Sequence, residues 1–260
     1  MVEGPTARVY ALKIEDKFKN ETIRQIQTKT RRIYVSLNKI LGRRLKKAET
    51  FGKNIVMFLD GFAIRVHLMM FGAIHIYGLD EPLLKPEKQV RLLLEGENRK
   101  LVVYNAPIVE IDKAEKIVGK LRVELGPDPL REDWDENEAV KRILQHKDEK
   151  IGIVLLDQRV IAGIGNILRN EILFRAKTHP EKLVRELSEE KIKTIVRTAK
   201  NLSIQFLELK LKKKRIKPIL YVYNKYNKPC KVCGEKIKFY LQQPRKRKTF
   251  VCEKCQSLLG

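Results

Sequence analysis

The chain is poor in cysteine, in acidic residues and in long apolar runs, and each shortage excludes a class of protein. Four cysteines in 260 residues are too few for a disulfide framework, so a reducing compartment, the cytosol, fits best. No apolar run reaches the roughly 18 residues of a membrane-spanning helix. The start, Met-Val-Glu-Gly-Pro, does not read as a signal peptide. No lipidation motif or basic amphipathic anchor points to a membrane surface, and no segment repeats. Acidic residues number 32 against 55 lysines and arginines, which leaves a net charge of +23. Such an excess attracts a polyanion. Nucleic acid is the expected partner, with binding that falls steeply as salt rises.

What the chain does have is concentrated at its C-terminal end. Cys230-Lys231-Val232-Cys233 and Cys252-Glu253-Lys254-Cys255 use all four cysteines, with 18 residues between the two pairs. Two such knuckles can grip one tetrahedral metal ion from opposite sides. The spacing reads as a structural four-thiolate site for one Zn²⁺. Four buried free thiols, or two disulfides, are the competing arrangements. The stretch between the knuckles is rich in lysine and arginine, so the metal would stiffen a small basic hairpin that has no core of its own.

The first half reads mainly as strands. Lys53 to Phe58, Ala63 to Leu68, Ala73 to Tyr77, Gln89 to Leu94 and Lys100 to Val103 are short and apolar or β-branched, with Gly, Asp and Asn between them. Such spacing predicts a β-sandwich or barrel, with a helix expected around Glu21 to Gln27. Leu125-Gly126-Pro127-Asp128-Pro129-Leu130 cannot continue a central strand or a helix, and marks a domain boundary. Helical segments are expected beyond it, at Glu136 to Gln145, at Asn166 to Ala176, and after Ser188, a good N-cap followed by two glutamates. The run Lys210 to Lys217 reads as a solvated helix end. The expected domains are residues 1–125, 126–218 and 219–260.

Several motifs in this order carry a resemblance. They are Val2-Glu3-Gly4-Pro5, Gly52-Lys53 and His67-Leu68-Met69-Met70-Phe71-Gly72, then Leu155-Leu156-Asp157-Gln158 and Ala162-Gly163-Ile164-Gly165-Asn166. Asn170-Glu171-Ile172-Leu173-Phe174, Tyr221-Val222-Tyr223 and Phe250-Val251-Cys252-Glu253-Lys254-Cys255-Gln256 complete the set. Together they span nearly the whole chain and resemble the formamidopyrimidine-DNA glycosylase and endonuclease VIII (Fpg/Nei) family. The resemblance implies an α+β multidomain fold: an N-terminal β-sandwich, a helix–two-turn–helix module and a zinc hairpin, with DNA between them. It also implies base excision repair, in which a bifunctional glycosylase removes a damaged base and then cleaves the strand.

The chemistry of that reaction suits these residues. An α-amino group has a reference pKa near 8 against about 10.4 for lysine, so far more of it is neutral at pH 7. It is therefore a ready nucleophile for a sugar C1′, forming a Schiff base. By resemblance the amine belongs to Val2 once Met1 is removed. Glu3 is the acid that protonates the sugar ring oxygen, and Lys53 contacts phosphate and assists catalysis. His67, Asn166, Tyr223 and Arg247 match DNA-contacting positions, and Met70 matches a wedge that fills the gap left by an extruded base. The glycines before Asn166 would let backbone approach a phosphate at a helix N-terminus. The planar guanidinium of Arg247 suits bidentate phosphate binding.

Departures from the pattern matter as much. Duplex-acting members often carry Asp-Pro-Arg-Arg-Phe-Gly where this chain has Val103-Tyr104-Asn105-Ala106-Pro107-Ile108. The family's lysine before Leu-Leu-Asp-Gln is here Gly152, and its glutamate after the N-terminal motif is Thr6. Little chain lies between the Ser188 helix and Tyr221 to form the loop that caps 8-oxoguanine. These features favour an endonuclease VIII-like enzyme. It is expected to remove oxidised pyrimidines and hydantoins, to favour single-stranded or locally opened DNA, and to act as a monomer. It would be cytoplasmic and nucleoid-associated in a prokaryote, nuclear in a eukaryote. A non-catalytic, zinc-dependent nucleic-acid-binding protein on the same scaffold is the alternative.

Overall fold

A computed structural model of the chain describes residues 2–258. The chain divides into two compact units, Met1–Glu124 and Leu125–Gly260. Among the described residues no helix is long and apolar enough to cross a membrane.

The first unit opens with helix α1 (Gly4–Phe18). Pro5 lies in its first turn, where a missing N–H costs nothing. Ala7, Ala11, Ile14 and Phe18 recur at helical spacing and are fully buried. Nine strands follow: β1 (Gln25–Thr28), β2 (Arg32–Ile33), β3 (Leu45–Phe51), β4 (Asn54–Leu59), β5 (Phe62–His67), β6 (Ala73–Gly78), β7 (Val90–Glu95), β8 (Arg99–Tyr104) and β9 (Ile108–Lys113). Helix α2 (Ala114–Glu124) ends the unit.

The strands form two sheets, of order β2-β9-β5-β4-β3 and β1-β7-β8-β6, which build the expected sandwich. Alternation decides the facing. Ile55, Met57, Ile64, Val66 and Ile111 of one sheet and Leu92, Leu94, Leu101 and Val103 of the other share the core with α1. Residues one position away, Leu93, Val102 and Tyr104, form a second cluster with Tyr77 on the opposite face.

The helix expected at Glu21 to Gln27 is absent, and the helix lies earlier, at Gly4–Phe18. Residues 25–28 pair with β7. Glu21 is buried, and its Oε2 accepts N–H bonds from Glu97 (2.6 Å) and Asn98 (2.9 Å). A carboxylate that caps a loop 76 residues away cannot also face solvent at a helix start. The β-branched Thr22, Ile23, Ile26 and Thr28 suit the strand conformation.

The second unit is helical: α3 (Glu136–Leu144), α4 (Ile151–Val154), α5 (Asn166–Arg175) and α6 (Glu189–Leu211). Asp135 accepts from the Glu138 N–H (3.0 Å) and Ser188 from the Lys191 N–H (3.2 Å), so α3 and α6 carry side-chain N-caps. Ile143, Ile161, Ile172, Ile195 and Phe206 share one core. The unit ends in the antiparallel hairpin β10 (Lys238–Gln242) and β11 (Arg247–Val251), which lies between the two cysteine pairs.

Candidate active site and nucleic-acid interface

In the first unit, strand register gathers the predicted residues at one end of the sandwich. Phe51 pairs with Asn54, leaving Gly52 and Lys53 as a two-residue turn. Gly52 has φ +58°, a conformation that favours glycine at the first central position of a tight hairpin turn. Asn54 pairs in turn with His67, and His67 with Ile108. On the other sheet Ala73 pairs with Tyr104. The two connections that cross between sheets, residues 68–72 and 105–107, therefore run side by side at the end that carries Lys53 and His67. The N-terminus joins them, because the Val2 nitrogen donates to the Met69 carbonyl (3.0 Å). Val2 and Glu3 are buried. Glu3 is the N-cap residue of α1, and its carbonyl accepts from Thr6 and Ala7.

His67 is held neutral. Burial first, then the positive charges of Lys53 and Arg65, push its pKa down to about 4. Its Nδ1 accepts from the Met69 N–H (3.1 Å), which leaves Nε2 as the protonated nitrogen and a potential donor. The 68–72 connection is tight: a Cβ on Gly72 would lie 2.5 Å from the Leu68 carbonyl oxygen. At its tip Met69, Met70 and Phe71 are all exposed, Phe71 most of all at 75%. The predicted wedge Met70 thus has an exposed aromatic neighbour, Phe71, whose wedge potential the motif alone does not disclose. The 105–107 connection offers nothing comparable. Asn105 is tied to Gln89 by two bonds, and Ala106 is buried.

Three residues behind the Lys53 turn were also missed. Buried Asn54 donates from Nδ2 to the Phe51 carbonyl (2.9 Å) and accepts on Oδ1 from Arg65 Nε (2.9 Å). Arg65 pairs with buried Glu110 (3.0 Å), which also meets Lys120 (3.2 Å). The signal was opposite charges inside two apolar strands, Ile64-Arg65-Val66 and Val109-Glu110-Ile111.

In the second unit several α5 side chains bind the hairpin, and three of them meet at one oxygen. The Lys248 carbonyl accepts from Asn166 Nδ2 (2.8 Å), Arg169 (3.1 Å) and Asn170 Nδ2 (3.3 Å). This fixes Asn166, the first residue of α5, against β11, whose first residue is the exposed Arg247. The Asn166 Oδ1 is buried without a hydrogen-bond partner. Arg169 is fully buried, and burial lowers its pKa to about 10. Gly152 lies against the same hairpin: a Cβ there would come within 2.6 Å of Gln242 Oε1 and 2.9 Å of the Pro180 Cβ, so a lysine here would have to displace the Gln242 side chain. Buried Glu171 accepts the backbone N–H groups of Tyr221, Val222 and Tyr223 at 2.8–2.9 Å, which sets the course of the chain through Tyr223. Gln158 braces the Gly163 turn, accepting from the Gly163 N–H and donating to the Ile164 carbonyl (both 3.0 Å).

Beyond β10 and β11, the sulfur atoms of Cys230, Cys233, Cys252 and Cys255 all lie within 4.8 Å of one another. Cys230 and Cys255 are 3.9 Å apart, Cys233 and Cys252 3.4 Å. A tetrahedral ion with metal–sulfur bonds of about 2.3 Å requires sulfur separations of about 3.8 Å, so the donor set fits Zn²⁺. All four cysteines are free, without disulfides. As bare thiols they divide sharply: the Glu235 backbone N–H draws Cys233 down to about 7, while burial pushes Cys252 up to about 11.

Comparison with known proteins decides the family. The formamidopyrimidine-DNA glycosylase N-terminal domain matches residues 1–107, and the H2TH domain of the same enzymes matches residues 125–218. Over 99% of its length the chain is 30% identical to Endonuclease 8 1 of Mycobacterium bovis, all of which is covered. The chain belongs to the formamidopyrimidine-DNA glycosylase/endonuclease 8 family. Formamidopyrimidine-DNA glycosylase of Mycoplasma mobile is 29% identical over 99% of the chain and 100% of its own length. The fold matches Lactococcus lactis Fpg, solved in complex with DNA containing N7-benzyl-Fapy-dG. The TM-score is 0.86 at 24% identity, over 98% of this chain and 99% of that one. Family membership makes this chain a DNA-binding DNA glycosylase of base excision repair with abasic-site lyase activity.

Proposed function

We propose that this enzyme removes oxidised bases through the α-amine of Val2 and works best on single-stranded or locally opened DNA. The observation that carries the reading is the site of the Val2 nitrogen, beside the 68–72 connection and at the same end of the sandwich as Lys53 and neutral His67. With Met1 removed, that nitrogen is an amine. It adds to C1′ of the damaged nucleotide while the C1′–base bond breaks, and the base departs with the bonding electrons and takes up a proton. Glu3, adjacent in sequence and buried, protonates the ring oxygen as the sugar opens and the imine forms. Loss of the C2′ proton then expels the 3′ phosphate and breaks the strand.

Lys53 contacts the phosphate at the lesion, and His67 offers Nε2–H. Asn166, Tyr223 and Arg247 hold the flanking backbone. One Zn²⁺ on Cys230, Cys233, Cys252 and Cys255 keeps the Arg247 hairpin rigid. Its role is structural, and the thiolates leave it no open position.

Strand preference follows from what an extruded base leaves behind. A duplex retains an orphaned partner and a gap, at a cost of a few kcal/mol. Asn105, Ala106 and Pro107 supply neither an arginine for the orphan nor an aromatic wedge, which leaves the exposed tip at Met70 and Phe71. Oxidised pyrimidines and hydantoins suit a chain with only residues 212–220 between α6 and Tyr221. The enzyme acts as a monomer.

Borohydride trapping on an abasic oligonucleotide, followed by peptide mapping, tests the nucleophile. The adduct should sit on the Val2 amine of a protein whose intact mass lacks one methionine. Full strand cleavage by protein that retains Met1 would remove Val2 from the mechanism and favour a different amine.

A further inference from the structure

The zinc hairpin carries an aromatic row that the repair reaction does not use. Phe239 and Leu241 are two apart on β10, so they share a face with their cross-strand partners Phe250 and Lys248. The ring of Tyr226, from the loop before the first cysteine pair, meets Phe239 edge-on at 6.1 Å. Phe239 lies 5.1 Å from Phe250, and Phe250 lies 5.3 Å from Tyr223. Four rings therefore run in sequence from Tyr223, at the proposed DNA track, outward to Tyr226. The inner ring, Phe250, is buried. At the outer end Tyr226 is 62% exposed, Leu241 45% and Phe239 38%. A hairpin this small normally hides such groups, and here they stand in water.

Charge indicates what covers them. Between Tyr221 and Phe250 there are nine lysines and arginines and a single acid, Glu235. Exposed Lys248 shares the face with Leu241 by register. Lys225 and Lys228 flank Tyr226. A protein partner for such a patch would need a dense acidic surface with aromatic-binding pockets. A nucleic-acid strand offers regularly spaced phosphates and flat bases together, and only unpaired bases can present their faces to a ring.

We propose that Tyr226, Phe239 and Leu241 form a stacking platform for unpaired bases of single-stranded DNA that extends beyond the nucleotides held at Tyr223 and Arg247. The platform deepens the single-strand reading above and rests on it for its choice of ligand. Bases stack on Tyr226 and Phe239 while Lys248 and the lysines beside Tyr226 meet the phosphates. The platform is indifferent to sequence, because every base has a face.

The test uses the full-length, zinc-containing protein and undamaged DNA, so no chemistry is involved. Fluorescence anisotropy would compare an oligothymidylate of about 20 nucleotides with a blunt duplex, across a salt series. Tyr226→Ala and Phe239→Leu should each weaken oligothymidylate binding by about tenfold, the scale of one lost base stack. Duplex binding should stay within about twofold. Tyr226→Phe should bind as wild type, and the salt dependence of Tyr226→Ala should be unchanged, because a ring and not a charge is lost. Equal losses on both DNAs, or none on the single strand, would overturn the proposal. So would a wild-type dimer that Tyr226→Ala dissolves, since the face would then belong to a second copy. Strand preference in catalysis is read separately, by incision of a lesion in both forms. If duplex is cut faster while Tyr226→Ala still binds oligothymidylate weakly, the catalytic reading falls and the platform stands. The reverse pattern removes the platform alone.

Discussion

Removing the Glu110 carboxylate should destabilise the first unit far more than loss of a surface charge would. The Arg65 side chain is 11% exposed and that of Glu110 6%. Glu110→Ala strands a nearly buried guanidinium whose remaining side-chain partner is Asn54. Breaking one side of such a buried pair costs about 3–5 kcal/mol, a large share of a domain stability of about 5–15 kcal/mol. Lys120 is 46% exposed and rehydrates at little cost. The two units can be followed separately in urea, because the only tryptophan, Trp134, lies in the second. Glu110→Ala should move the β-sheet transition seen by circular dichroism to lower urea and leave the tryptophan transition in place. The pair Arg65→Met with Glu110→Leu should recover stability to within about 1 kcal/mol, since apolar replacement of a buried ion pair is often neutral. It should not recover incision. Arg65 Nε would no longer hold Asn54, which closes the turn that carries Lys53. A loss below about 1 kcal/mol for Glu110→Ala, or a double variant as unstable as the single one, would refute this account.

Other expectations follow from the same geometry. His67 has a folded pKa of about 4 against about 6.5 when unfolded, so the fold favours the neutral ring. The stability this gives, no more than about 3–4 kcal/mol, is complete above pH 6.5 and is lost as pH falls towards 4. Wild type and His67→Asn should therefore converge in urea midpoint across that window, and an NMR titration of His67 near pH 6.5 would contradict it. Phe71→Ala and Met70→Ala should depress incision of a duplex lesion at least several-fold more than incision of the same lesion in a single strand, and equal effects would deny the tip a wedge role. Chelation should release one zinc per chain and weaken DNA binding, with helical circular dichroism retained because α3 to α6 share a separate core. Arg247→Ala should weaken DNA binding by about 1–3 kcal/mol, and undiminished affinity of either metal-free or Arg247→Ala protein would count against the hairpin as a DNA clamp.

The legible parts of this chain were those written in local chemistry. Five strands announced themselves by apolar runs between glycines, and α6 by Ser188 and two glutamates. The cysteine pairs disclosed their cluster by spacing alone. Helix α1 was equally written, with Pro5 in its first turn and apolar residues at 7, 11, 14 and 18, but its first residues double as the Val2-Glu3-Gly4-Pro5 motif, which masks the periodicity. Glu21 to Gln27 misled because a buried carboxylate looks the same in sequence as a solvated one. Its partners, Glu97 and Asn98, arrive only when the chain folds back. The same holds for Arg65 with Asn54 and for Glu171 with the Tyr221–Tyr223 backbone. Each bond joins residues at least 11 positions apart, and no local pattern records it.

The junction at the Lys248 oxygen has a consequence for anyone scanning this enzyme by substitution. Three side chains, from Asn166, Arg169 and Asn170, converge on an atom that every amino acid possesses. Replacing Lys248 alters an exposed ammonium group and leaves the acceptor untouched, so codon-level mutagenesis would report on its charge toward DNA and never on the junction. Replacing Asn166, Arg169 or Asn170 would each look like an independent lesion. A backbone ester in place of the amide that joins residues 248 and 249, made by semisynthesis, would weaken that acceptor without altering a side chain. The part of the three phenotypes that comes from this shared acceptor should then appear in a protein whose side chains are all native, while the bonds of Arg169 to Gln242 and Thr249 and of Asn170 to Phe250 stay in place.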